Sequence, residues 1–125
     1  MKSTVTAVMV LVVAALSVAQ QRNPTKQAAD EHIRLRASVQ AVVHLRDFSG
    51  EVTPVDFDPR FALSVRIESA VPAVPNFRSG SVVTFAIHSP SLLFSGDPVK
   101  GRTYGFSLVR RVENGKVRFR DLRVQ

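Results

Sequence analysis

Arginine supplies the densest grouping of chemically active side chains in this sequence. Six basic residues flank the dipeptide Asn114-Gly115 near the C-terminus: Arg110, Arg111, Lys116, Arg118, Arg120 and Arg123. Asn-Gly is the strongest short hairpin signal, because both positions tolerate a positive φ. Pairing about this turn sets Arg111 opposite Arg118 on the outward side, where like charges destabilise a sheet by roughly a few tenths of a kcal/mol. Since guanidinium groups bind phosphate and carboxylate in two-pronged geometry, the hairpin predicts a site for an anion or an acidic surface.

The predicted anion-binding residues lie on the hairpin and on a strand earlier in the chain: Arg66, Arg111, Lys116, Arg118 and Arg120. Three arginines near the start of the folded part extend the same basic surface: Arg34, Arg36 and Arg46. The formal net charge is +7, so a generally basic surface, typical of an arginine-rich proteome, is the alternative explanation. That alternative accounts for the composition but leaves the opposition of two arginines across the hairpin unexplained.

Other side chains with catalytic or metal-binding potential form no recognisable site. The three histidines have no metal-ligating partner at helix or hairpin spacing: His32, His44 and His88. His44 and His88 come together only if their strands share one barrel. Asp56 and Asp58 resemble part of a hard-cation site, but two aspartates before a proline are more typical of a turn.

The composition argues against catalysis. The chain contains no cysteine, which excludes a disulfide framework, a thiolate nucleophile and a cysteine-based zinc site. The sequence has neither a Gly-x-Ser-x-Gly elbow nor a glycine-rich phosphate loop. We therefore expect a protein that is not an enzyme and that has no metal or cofactor.

Residues 1–19 have the features of a secretory signal peptide. Lys2 gives a positive start, residues 5–18 are almost wholly apolar, and Ser17-Val18-Ala19 offers small residues for cleavage. The apolar run is shorter than the ~20 residues that span a bilayer, although an uncleaved anchor is the alternative. We expect export to the periplasm or medium of a bacterium, because small secreted eukaryotic domains more often depend on disulfides. After cleavage no transmembrane segment remains.

The chain that follows predicts a flexible polar leader over residues 20–32 and one β-domain over residues 33–125. Apolar and polar residues alternate from Ile33 to Leu45, which favours a long half-buried strand over the helix that residues 28–43 would also permit. Four further strands are predicted at 60–70, 81–88, around 104–108 and at 116–125. Between the third and fourth strands, Ser89-Pro90 predicts a capped helical turn.

The last hairpin carries a second prediction about register. Pairing from Asn114-Gly115 sets Val112 against Val117 and Arg110 against Phe119, but the same register would place Leu108 opposite Asp121. One extra residue near Arg120-Asp121 restores the apolar pairing, so the sequence predicts a β-bulge there.

Five strands with a long, bendable first strand and a helical turn between strands 3 and 4 resemble the OB-fold, in its small exported bacterial form. The resemblance covers residues 33–125 and rests on strand spacing, the turn at residues 89–94 and the Asn114-Gly115 hairpin. It implies an all-β fold, a five-stranded OB-like Greek-key barrel. No diagnostic family motif is present, and a β-sandwich or another open barrel is the alternative.

The expected function is that of an exported, non-enzymatic binding module. It contacts an anionic polymer or a protein partner through the basic C-terminal hairpin. The first alternative is an exported oligonucleotide-binding protein. Export argues against this alternative, because most nucleic acid lies inside the cell. The second is a structural or assembly subunit that pairs through an exposed first strand. The oligomeric state does not follow from the sequence.

Overall fold

The structure is a computed structural model that describes residues 30–125. The predicted signal peptide, and residues 20–29 of the predicted leader, lie outside the described residues. Six strands are present: β1 Asp30–His44, β2 Thr53–Pro54, β3 Phe61–Val71, β4 Val82–Ile87, β5 Thr103–Glu113 and β6 Lys116–Val124. A 3-10 turn over Leu45–Asp47 follows β1, and a one-turn helix, α1 (Pro90–Phe94), joins β4 to β5.

All six strands belong to one curled sheet, in the order β2-β4-β3-β1-β5-β6. The all-β prediction is confirmed. The predicted five strands correspond to β1, β3, β4, β5 and β6, and the additional strand is β2, a two-residue strand parallel to β4. A two-residue strand has no alternation for a sequence pattern to reveal.

Strand β1 is the centre of this sheet. It pairs antiparallel with β3 on one side and with β5 on the other, and its pairing with β3 shifts register at two places. Such irregularities bend a strand and increase its twist, which lets one sheet curl around its own core. Because β1 is central, the prediction of an exposed first strand available for assembly is wrong, and the edge strands are β2 and β6.

Strand β1 begins at Asp30, three residues before the predicted domain boundary. From Ile33 to Val39 the predicted alternation is confirmed: Ile33, Leu35 and Ala37 are buried, and Arg34 and Arg36 are exposed. Beyond Val39 it is wrong, because a register shift against β3 reverses the parity, so that Ala41 and Val43 are exposed and Val42 packs against the core. The buried side chains meet one inner layer contributed by the other strands, whose largest members are Leu63, Ile67, Phe85, Ile87, Phe106 and Leu108. The opposite face of the sheet carries mostly polar and charged residues, together with Ala62, Ala86 and Val109, which are also buried.

The predicted hairpin register is confirmed in detail. Asn114 and Gly115 both have positive φ, at 50° and 78°, and Arg111 pairs with Arg118. The β-bulge is also confirmed: Val109 pairs with Arg120 but Ser107 pairs with Arg123, so β6 contains one extra residue. Asp121 absorbs the distortion with a φ of 56°.

The predicted helical turn lies between β4 and β5, as expected. The Ser89 hydroxyl accepts a hydrogen bond from the Leu92 N–H at 3.3 Å, and Pro90 occupies the first turn. In residues 30–125, no helix is long and apolar enough to cross a membrane.

Candidate anion-binding site

Acidic side chains offset the arginines that face each other across the hairpin. Arg111 Nε donates to Asp30 Oδ1 at 2.7 Å, and Arg111 Nη1 donates to Glu113 Oε1 at 3.2 Å. Arg120 Nη2 donates to the second oxygen of Asp30 at 3.0 Å. Arg118 Nε lies 3.8 Å from Glu113 Oε2. The apparent like-charge opposition is therefore balanced within the chain and does not require an external anion.

Asp30 is the link in this network, since one carboxylate joins two arginines. Partial removal from water acts to raise the pKa of Asp30, but the hydrogen bonds and positive charges of Arg111 and Arg120 outweigh it and hold the pKa below its usual value. Reciprocally, hydrogen bonds to Asp30 and then to Glu113 raise the pKa of Arg111. We call the three residues Arg111, Arg118 and Arg120 the hairpin arginines.

Sequence reasoning missed Asp30 because it assigned this residue to the leader. The signal was available in the parity of β1: Asp30 shares the outward parity of Arg34 and Arg36. What the sequence lacks is the antiparallel pairing of β1 with β5, which sets Asp30 opposite Arg111. That contact joins residues 81 positions apart.

The predicted site residues do not form one cluster. Arg66 pairs with Ser38, whereas Arg111 pairs with Asp30, and eight residues of strand correspond to ~26 Å. Lys116 is exposed beside the hairpin turn, and Arg46 lies in the 3-10 turn beyond the far end of β1. The structure brings Arg111, Arg118 and Arg120 together, and places Arg66 elsewhere on the sheet.

A different group of arginines lies around Arg66 on the outer face of the sheet. Arg34 and Arg123 pair with the same residue of β5, Ser107, from opposite sides. Two strand spacings separate their Cα atoms, or about 10 Å. Arg36 follows two residues after Arg34 on the same face, about 7 Å along the strand. We call Arg34, Arg36, Arg66 and Arg123 the outer-face cluster.

Arg66 is the fourth member of the outer-face cluster. It pairs with Ser38, so it lies diagonally across from Arg36, with about 7–8 Å between the two Cα atoms. All four side chains are exposed. In residues 30–125 the arginines that pair with a carboxylate within 4.0 Å are Arg60, Arg110, Arg111, Arg118 and Arg120. Among residues 30–125 none of these four arginines therefore forms an ion pair within 4.0 Å, although the exposed carboxylate of Glu68 lies two residues from Arg66 on β3.

The β-bulge explains how Arg123 reaches this cluster. Arg118 and Arg120 lie on the outer face at even positions of β6, and unbroken alternation would turn Arg123 toward the core. The extra residue at Asp121 reverses the parity, so that Leu122 becomes buried and Arg123 exposed. The same bulge therefore completes the core and supplies a fourth guanidinium.

The histidines do not come together: His32 and His44 belong to β1, whereas His88 contacts the paired aspartates of a loop. His44 stacks on Phe61 with ring centroids 4.9 Å apart. The His88 backbone N–H donates to Asp56 Oδ2 at 2.9 Å, and His88 Nδ1 lies 2.9 Å from the Asp58 carbonyl oxygen. Asp58, with a φ of 58°, also accepts from Arg60 at 3.2 Å. Within residues 30–125, histidine and acidic side chains form no group of three or more that would hold a metal ion.

The outer-face cluster and the hairpin arginines are thus two groups with different surroundings on one sheet. Geometry and charge define them both.

The chain matches no protein-family model, no curated protein and no solved structure.

Proposed function

We propose that this protein is an exported, non-enzymatic binding module for an anionic polymer, which it contacts through the outer-face cluster. The observation that carries the proposal is the grouping of four exposed arginines that have no carboxylate within 4.0 Å among residues 30–125. The Cα atoms of neighbouring arginines in this cluster are roughly 7–10 Å apart. The exposed like charges repel one another, and bound phosphate, sulfate or carboxylate groups relieve that repulsion.

The shape of the cluster favours a polymer over a small anion. Arg123, Arg34 and Arg66 lie on three different strands, β6, β1 and β3, and β5 lies between the first two. The Cα atoms of Arg34 and Arg123 are about 10 Å apart, and Arg66 lies one strand further from Arg123. A linear polymer with repeated anionic groups can cross the strands and meet each arginine in turn, and every neutralised charge releases a counter-ion.

The hairpin arginines are poorer candidates for polymer binding because these arginines already have carboxylate partners within the chain. An anion at Arg111 must compete with Asp30 and Glu113, whose hydrogen bonds to Arg111 are 2.7 and 3.2 Å long. It would also approach two carboxylates. The proposal therefore keeps the predicted ligand class and the predicted residue Arg66, and places the main contact on the face of the sheet.

We also propose that the fold is OB-like and that the protein is exported. The strand order β4-β3-β1-β5-β6, with α1 between β4 and β5, supports an OB-like Greek-key arrangement in which β2 is an addition. The apolar run and small residues of positions 5–19 support export. Mass spectrometry of the purified chain, expressed from its full sequence, tests export directly: cleavage after Ala19 leaves Gln20 as the first residue.

Retention on heparin tests the proposed site. Arg34→Gln/Arg36→Gln removes two charges from the outer-face cluster, and Arg118→Gln/Arg120→Gln removes two charges from the hairpin. We expect the first variant to elute at clearly lower salt than the unmodified protein and the second to shift much less. Equal shifts would mean that only overall charge matters, and a larger shift for the hairpin variant would place the site on the hairpin.

A further inference from the structure

An aromatic side chain is held away from the core on a well-anchored loop. Phe57 is 98% exposed, although burial of a phenylalanine side chain stabilises a folded protein. The aspartates on either side of it are tied to His88, through its backbone N–H and its ring nitrogen. Asp58 is further paired with Arg60 at 3.2 Å. The loop is therefore fixed with its aromatic ring in water.

Phe57 stands at the rim of a groove between the two edges of the curled sheet. One wall is the segment Thr53–Phe57 and the other is β6 from Lys116 to Asp121, and the groove has a volume of about 700 Å³. Val55 and Phe119 are buried within it, and Val117 is 41% exposed. The groove thus has an apolar lining with Phe57 and Val117 accessible, and its size falls in the range of ligand-binding clefts.

The β6 wall makes the groove basic. Lys116, Arg118 and Arg120 line it, and Arg118 is 69% exposed at the side chain. The acidic residues of the groove are already engaged: Asp56 accepts from His88, Glu113 from Arg111, and Asp121 lies 3.8 Å from Arg120. A complementary ligand combines an apolar anchor with negative charge.

A second copy of this chain is a poor fit to that description. Full burial of one aromatic side chain covers about 150–250 Å², whereas a stable interface needs about 800 Å² per partner, so Phe57 and Val117 fall well short. Two copies meeting at β6 would also set basic strands against each other. A short segment of another protein meets neither objection.

We propose that this groove docks an acidic peptide segment of a partner protein, with an aliphatic side chain packed against Phe57 and Val117 and carboxylates facing Lys116 and Arg118. Since β6 pairs only with β5 within the part of the chain that the structure describes, backbone groups along its other edge are available to an extended peptide. This surface shares no residue with the outer-face cluster, so the inference stands independently of the proposed function.

The test measures binding of a fluorescein-labelled peptide of alternating glutamate and leucine by fluorescence anisotropy. We expect Phe57→Ala to weaken binding by about tenfold or more, as removal of an interface anchor does. The matched control is Val82→Ala, which removes an exposed apolar side chain (53% exposed) on β4, away from both clefts that Phe57 lines. Val82→Ala and Arg34→Gln/Arg36→Gln should leave peptide affinity unchanged. A peptide with lysine in place of glutamate should not bind.

Three results would overturn the inference. One is peptide binding that is absent, or that Phe57→Ala leaves intact. Another is self-association of the unmodified protein that Phe57→Ala abolishes, which would make a second copy the occupant. The third is binding of single-stranded oligonucleotide that depends on Phe57 while binding of the peptide does not, which would make Phe57 a base-stacking platform. Phe57→Ala removes a side chain that is almost wholly in solvent, so loss of the fold does not confuse the comparison.

Discussion

The hairpin arginines and the outer-face cluster present the same side chain on the same face of one sheet, yet their surroundings differ. Arg111 and Arg120 share Asp30, and Arg111 and Arg118 share Glu113. None of the outer-face arginines has a carboxylate within 4.0 Å among residues 30–125. Local density of arginine is therefore a weaker argument for an anion site than the lack of an internal carboxylate partner, and this comparison favours the outer-face cluster as the proposed site.

A second explanation for the basic hairpin follows from its position. β6 is an edge strand, and edge strands carrying charges and a β-bulge resist pairing with other chains. β6 has both features, in Arg118, Arg120 and the bulge at Asp121. Arg111 and Arg120 thus hold the N-terminal end of β1 through Asp30. The positive charges of β6 disfavour pairing of its free edge with a basic strand and leave the edge open to an acidic segment.

The largest expected effect is that of a change at the residue that the bulge turns into the core. Leu122 is 6% exposed because the extra residue at Asp121 reverses the alternation of β6. Leu122→Ala should therefore lower the free energy of unfolding by about 2–4 kcal/mol, as other large-to-small core substitutions do, measured by urea unfolding. Asp121→Gly is the control, because glycine keeps the bulge and accepts the positive φ without strain. Equal stability of Leu122→Ala and the unmodified protein would contradict the role assigned to the bulge.

The next effect separates the two groups by salt dependence. The slope of log affinity for heparin against log salt reports how many charges contact the polymer. Arg66→Gln should reduce that slope by about one, while Arg118→Gln should hardly change it, although both variants lose one exposed charge. A slope that falls equally in both variants would show that the two groups contribute alike.

A smaller effect tests the geometry of the contact. Arg34→Lys/Arg36→Lys keeps the charge but removes the planar fork that binds an anion through two hydrogen bonds. We expect this variant to elute from heparin between the unmodified protein and Arg34→Gln/Arg36→Gln. Elution together with the unmodified protein would mean that the cluster acts through charge alone.

The smallest effect concerns stability and pH. The pKa of Asp30 is lower in the folded chain than its ordinary value, so its stabilising contribution is fully present above about pH 3.9, the unfolded value, and is lost as the pH falls through the folded value. Asp30→Asn should lower Tm slightly at neutral pH. The difference should vanish in acid, where both side chains are neutral. Thermal unfolding across this range, with Arg34→Gln as a control that does not lower Tm, measures it.

Local patterns predicted those elements that depend on nearby residues. The alternation from Ile33, the capped turn at Ser89, the hairpin at Asn114-Gly115 and the bulge near Asp121 all arise from contacts between sequence neighbours or across one tight turn. Their physical causes are side-chain periodicity, hydroxyl capping and the tolerance of Asn and Gly for positive φ.

The site could not be predicted in the same way because it depends on pairing between distant strands. Asp30 meets Arg111 only through the β1–β5 ladder, and Arg66 joins Arg36 only through the β1–β3 ladder with its register shift. A sequence pattern gives the face on which each residue lies but not which strand lies beside it. Arginine therefore remains the residue type of the candidate site, but the arginines that lie together differ from those that the sequence predicted.

The most direct measurement is an NMR titration of the full protein with heparin, followed at the arginine side-chain Nε–H resonances. If the outer-face cluster binds the polymer, the signals of Arg34, Arg36, Arg66 and Arg123 shift together. Those of Arg111 and Arg120 stay near their starting positions, because Asp30 continues to hold them. Shifts confined to Arg111, Arg118 and Arg120, with the outer-face signals unchanged, would contradict the account.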